Sequence, residues 1–306
     1  MNNKAKRKII SQTMVLGLIK IAEEQKNPKM LKKYWNTYHC QNRLLLVEGR
    51  TYGEFCKNRI CTLCNANRKA DKINNYLPIL NKWPEPYFVT LTARSIGLRI
   101  LGQRIINIQR AFKIIISRSK TRYRRGIGIK LVGIKSIECN FNPIAKTYNP
   151  HLHLIVQDKE TADYFVNEWL NLWTKKHAER WSQHKEKVFN NEKILIEVIK
   201  YGSKIFTEPD LKKKEAGVNT PTIYLKALHN ILDAMDGKRL FDRFGFNLPE
   251  RNKTTSIRNV TDYDVLEFDS FFNDWININK KELVTGYNMP ADLQFLLDNY
   301  INLEAQ

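Results

Sequence analysis

The chain has 306 residues, an ordinary apolar share of 42% and a formal charge of +20, which excludes a disordered chain and allows one sizeable core, or one domain plus an appendage. Nine acidic residues against three basic ones lie from Thr254 onward, so the first 253 residues carry +26; such a body implies a polyanionic partner, nucleic acid before a membrane surface. No apolar run approaches the roughly 18 residues of a spanning helix, and no secretory leader is read at the basic start, so a soluble cytoplasmic protein is expected.

Residues 12–35 read as a basic, partly amphipathic helix. The stretch from Cys40 to Cys64 is loop-rich, and a second basic helix follows over 66–80. Five cysteines in a reducing compartment favour metal over disulfides. Cys56, Cys61 and Cys64 are spaced C-x4-C-x2-C, and the closing pair has the bite of tetrahedral zinc. Cys40 offers a fourth thiolate, with His39 as its substitute; ordinary reduced thiols in a loop are the plainer alternative.

KWPEPYFVTLTAR opens a strand with Phe88, Thr90 and Thr92 on one face. LGQRIINIQRAFKIIISRSK then repeats its apolar residues with near-helical period. RSKTRYRRGIGIK carries six basic residues and no acidic one. Arg118, Lys120, Arg122, Arg124 and Arg125, with Tyr123 among them, suit a phosphate-tracking groove, although a solvated face would look the same. Gly126 and Gly128 break the pattern before the β-rich IGIKLVGIKSIECNFN, and YNPHLHLIV follows.

Residues i and i+2 of a strand share a face, so His151 and His153 can reach one ion. If the preceding strand pairs with theirs as a hairpin, Glu138 completes a set of two imidazoles and one carboxylate. Such a set leaves positions open for water and a phosphate oxygen, as a Lewis-acid site requires. It suits Mn²⁺ or Mg²⁺, while imidazoles also tolerate zinc, cobalt or nickel. A surface strand residue is the alternative for Glu138, and Cys139 points to the opposite face as a core thiol.

TADYFVNEWLNLWTKKHAERW is a second amphipathic helix, and a third covers about 191–206. There Lys193, Glu197 and Tyr201 share a face, with Lys204 following. A tyrosine hydroxyl can attack a phosphodiester, a carboxylate one turn away can serve as general base, and a lysine can neutralise phosphate charge. Mere packing is the competing explanation. A lysine-rich break at 207–220 precedes a helix near 222–235. The order predicts an α+β fold, an antiparallel sheet with helices packed on it. The expected domains are a basic, cysteine-rich 1–82, a sheet-bearing 83–250 and an acidic helical tail at 251–306.

FVTLTAR, ECNFN…NPHLHLIV and EVIKYGSK, in this order, resemble motifs of the replication initiators of small rolling-circle plasmids, in the branch with one catalytic tyrosine, and more broadly the HUH endonucleases. CKNRICTLCNANRKADK is similar to that family's C-x4-C-P-x-C stretch, and GKRLFDRFG to its closing basic-glycine element. The resemblance runs from about Cys40 to Gly245, and departs from the family at Thr62, usually proline, and at Asn149, often histidine.

The resemblance implies an HUH nicking and joining domain at 83–250. Glu138, His151 and His153 would hold the divalent metal at a phosphate of single-stranded or hairpin-extruded origin DNA. Tyr201 would attack and remain on the 5′-phosphate, leaving a 3′-hydroxyl for a polymerase. Glu197 would promote hydrolytic release, and Lys204 would support phosphate charge. The rivals are an HUH transposase and a non-catalytic, zinc-stabilised DNA-binding regulator. The tail is read as a packing helix, with a dimer contact or a dock for host helicase or polymerase as alternatives.

Overall fold

The computed structural model describes residues 1–199, 221–250, 262–291 and 294. It divides into two compact units: the first takes the described parts of 1–68, 203–229 and 250–306, the second those of 69–202 and 230–249. In chain order the elements are α1 (Asn2–Glu24), α2 (Pro28–Tyr38), β1 (Arg43–Val47), β2 (Arg50–Tyr52), α3 (Thr62–Leu80), β3 (Tyr87–Thr92) and α4 (Leu101–Arg124). They continue with β4 (Gly133–Asn142), β5 (Thr147–Val156), α5 (Lys159–Leu172), α6 (Thr174–His177), β6 (His184–Lys187) and α7 (Asn191–Ile199). The last are α8 (Pro221–Ala234), β7 (Phe241–Phe244), β8 (Asp264–Asp269), β9 (Asp274–Asn277) and β10 (Glu282–Leu283). No helix among the described residues is long and apolar enough to cross a membrane.

The architecture is α+β, but among the described residues the antiparallel strands form two five-stranded sheets where one was expected. The helix expected over 12–35 is two. Lys26 turns the chain at φ +52°, Pro28 stands at the start of α2, and the Asn27 side chain caps it by accepting from the Met30 amide at 3.1 Å. α1 buries Ala5, Ile9, Val15 and Leu18, and with them the whole of Lys8. That ammonium donates to the Tyr38 and Cys40 carbonyls at 2.6 and 2.9 Å and to Asn42 Oδ1 at 2.6 Å. Burial pushes its pKa down to about 8, against the opposing pull of the neighbouring cysteines.

The first unit corrects the helical reading of the tail. β8, β9 and β10 continue the sheet in the order β10-β9-β8-β1-β2, with Leu44 directly opposite Leu266. Leu266 and Phe268 alternate with the acidic Glu267 and Asp269, a period of two that suits a half-buried strand and no helix. Trp275 is fully buried against Leu44 and Leu266 and donates its indole N–H to the Gln41 carbonyl at 2.9 Å. The loop expected between Cys40 and Cys64 likewise contains the β1–β2 hairpin.

In the second unit the sheet order is β6-β3-β5-β4-β7. α4 and α5 pack on β5 and β3, with Val89, Leu91, Leu152 and Leu154 fully buried. The Lys135 ammonium lies 4.8 Å from the Phe112 ring centre, so this helical layer covers the odd-numbered face of β4. On the other face Leu195, Val198 and Ile199 of α7 join Phe88, Ile134, Ile155, Tyr76 and Leu80 in one core. The helix expected over 161–181 stops at Leu172, and Thr174, at φ +25°, turns the chain into the short α6. The helix expected over 191–206 is described as far as Ile199.

Candidate functional site

The β4–β5 hairpin sets Glu138 directly opposite His151 and Ser136 opposite His153, while β3 on the other flank sets Thr90 opposite His153 and Thr92 opposite His151. Directly paired residues share a face. Glu138, His151 and His153 are therefore neighbours on one surface, 7, 5 and 8% exposed. Glu138 Oε2 lies 3.4 Å from His153 Nε2 and 3.9 Å from His151 Nε2, and the two Nε2 atoms are 3.0 Å apart. One ligand atom from each residue falls within 4.8 Å of the others, a group able to hold a metal ion.

The far nitrogens decide which way the imidazoles work. His151 Nδ1 is 2.9 Å from the Asn149 carbonyl, which can only accept, so Nδ1 is the donor of that bond and Nε2 is the nitrogen turned into the site. His153 Nδ1 is 3.0 Å from Thr90 Oγ1, and Phe88 stacks on the ring at 5.2 Å. Two nitrogens and a carboxylate oxygen converging in a buried spot call for a shared cation or proton, so the donor set fits a divalent metal. Ser136, which pattern reading passed over, presents a buried hydroxyl on the same face; only the strand register reveals it.

Glu197 is half-buried on α7, the helix packed against β4 and β5 on the histidine face. Tyr201 and Lys204 lie outside the described residues. The Asn149 contribution is a backbone carbonyl, so replacement of the family's frequent histidine leaves that contact intact.

Cys40, Cys56, Cys61 and Cys64 form the second group able to hold a metal. Cys64 Sγ lies 3.7 Å from Cys40 Sγ and 3.5 Å from Cys56 Sγ. Those separations exceed a disulfide's bond of about 2.05 Å and approach the edge, about 3.8 Å, of a tetrahedron with metal–sulfur bonds of about 2.3 Å. The Cys56 and Cys64 amides point at Cys40 Sγ and Cys61 Sγ at 3.4 and 3.5 Å. Hydrogen bonds from its fellow cysteines hold the Cys56 thiol below its ordinary pKa. The set fits zinc. Cys40, and not His39, completes it, because the His39 ring stacks on Trp35 and meets Asn42 instead. Thr62 explains its departure from proline: its amide donates to Ser11 Oγ at 2.9 Å and its hydroxyl donates to the Arg7 carbonyl, tying α1 to the cluster.

The basic run divides by helical face. Arg118 and Arg122 of α4 pair with Glu168 of α5 at 3.6 and 3.1 Å, and Arg122 also donates to the Tyr164 hydroxyl. Lys120, Tyr123 and Arg124 turn elsewhere and line a cavity of about 520 Å³ with Lys130. Arg125 follows the last turn of the helix and is exposed.

A family model described as "Replication protein" matches residues 49–289, well over half of the chain. Among curated proteins the chain is similar to a "Protein rep" of Streptococcus pneumoniae serotype 2 (strain D39 / NCTC 7466), 26% identical over 133 residues. It is also similar to a "Protein rep" of Lentilactobacillus hilgardii, 28% identical over 131 residues. Each alignment covers 39% of this chain and 40% of the relative, so the matched stretch spans two fifths of the relatives' length. No solved structure matches the chain significantly.

Proposed function

The chain belongs to the replication-protein family, and from that premise we propose that it initiates rolling-circle replication of a small plasmid by nicking one strand at the origin. The observation that carries this reading is the convergence of Glu138, His151 and His153 on one buried spot of the sheet. In this reading the second unit is an HUH-endonuclease-like nicking and joining domain. The three side chains would hold Mn²⁺ or Mg²⁺, which when bound withdraws charge from a phosphate oxygen.

The chain's own residues do the rest. The Tyr201 oxygen attacks the phosphorus, forming a tyrosyl ester with the 5′-phosphate, and the 3′-oxygen departs to become the free hydroxyl. One phosphate ester replaces another, so rejoining needs no ATP. Glu197 takes the proton of the water that releases the product, and Lys204 opposes the phosphate charge. The cysteine cluster, loaded with zinc, would fix the loop that bears Arg59 and the first turns of α3 that bear Arg68. The basic body is proposed to grip single-stranded or hairpin-extruded origin DNA, with a polymerase extending the new end.

The test is incubation with Mn²⁺ and a supercoiled plasmid carrying the gene's flanking DNA. We expect a covalent protein–DNA adduct on a denaturing gel that disappears in Tyr201→Phe while DNA binding persists. Binding without nicking by the unaltered protein would leave a non-catalytic regulator or a transposase offered the wrong DNA.

A further inference from the structure

A groove of about 760 Å³ opens in the second unit where the row of metal-binding side chains ends. Thr92, directly opposite His151, and Asn149, whose carbonyl meets His151 Nδ1, both line it. Its outer wall is the segment after α5. The Thr92 amide donates to Gln183 Oε1 and the Thr92 hydroxyl to the Ser182 carbonyl, both at 2.8 Å, which anchors that segment to the end of β3.

Two features of this wall suit a ligand. Trp181 lines the groove with 84% of its surface exposed, an apolar area that the protein itself leaves uncovered. Arg94, Lys175 and Lys176, all exposed, stand around it against one carboxylate, Glu179, which accepts from the Trp181 indole N–H. Cations around an open aromatic face match a nucleotide strand, whose bases offer π-faces and whose backbone is anionic. Duplex DNA offers no unstacked base to such a ring.

We propose that this groove seats the single-stranded DNA adjoining the scissile phosphate, with Trp181 stacked on a base and Arg94, Lys175 and Lys176 on backbone phosphates. The location rests on the nicking reading; the affinity for single strands does not.

The experiment is fluorescence anisotropy with a fluorescein-labelled mixed-sequence oligonucleotide, single-stranded and as duplex, on full-length protein carrying Tyr201→Phe to prevent cleavage. Adding Trp181→Ala should weaken single-strand binding about ten-fold or more, and Trp181→Phe should recover most of the loss. The double change Lys175→Ala/Lys176→Ala should reduce the slope of log affinity against log salt by about 1.4, at about 0.7 per phosphate. Duplex binding should change little with Trp181→Ala. Equal affinity of Trp181→Ala and its parent, or an equal loss for strand and duplex, overturns the proposal. Failure of the unaltered protein to form any Tyr201-dependent adduct would instead remove the nicking reading, and the anisotropy comparison would still decide what the groove binds.

Discussion

His151 and His153 are held from behind: the Asn149 carbonyl and the Thr90 hydroxyl set which nitrogen of each ring is presented. Thr90→Val keeps the shape and removes one of these partners. It should lower Mn²⁺ affinity about ten-fold or more, whereas Glu138→Ala should eliminate specific binding; paramagnetic-resonance titration of free Mn²⁺ reads both. Lys8 poses a different balance. Its buried charge opposes folding, but Lys8→Met would leave the Cys40 carbonyl and Asn42 Oδ1 without this donor and the Tyr38 carbonyl with only the longer bond from Gln12 Nε2 at 3.3 Å. The loss of three short hydrogen bonds outweighs the relief of one buried ammonium, and a net loss of about 2 kcal/mol is expected in urea unfolding.

At the scale of elements, Thr62 begins α3, where a proline's backbone fits without strain. Thr62→Pro should therefore cost only the hydrogen bonds to α1, about 1–2 kcal/mol by the same denaturation measurement. The Glu168 pairing between α4 and α5 makes the opposite kind of case. Both arginines are about half exposed, so Glu168→Ala should cost no more than about 1 kcal/mol. It also releases two cations, and DNA binding should strengthen and respond more steeply to salt. Six cations within thirteen residues carry no sign of which are already paired; Arg118 and Arg122 meet their partner more than 40 residues away, on another helix.

For the molecule as a whole, the tail is a structural member of the first unit. Ending the chain at residue 261 would remove β8–β10 and uncover Leu44. Loss of the pairing and of Trp275 should destabilise that unit rather than trim an appendage. Hydrogen exchange at 43–47 should then collapse toward unprotected rates, while protection persists in β3–β5.

Local pattern accounts for much of this protein. The i, i+2 histidines, the C-x4-C-x2-C spacing, the helical periods over α4 and α7 and the motif order are all legible, because side-chain direction along a strand or helix follows from sequence position alone. The closeness of Glu138 was legible too, since a short link between two strands leaves a hairpin as the natural pairing. Tertiary structure alone decided that Cys40 and not His39 joins the cluster, that two of the six cations of the basic run are internally paired, and that the described tail forms strands between Asp264 and Leu283. Each depends on which distant surface comes to lie opposite. Leu266 finds Leu44, and Trp275 finds the Gln41 carbonyl, across more than 200 residues. Such pairings are chosen by burial and hydrogen bonding in the assembled core, and no local window of sequence contains both partners.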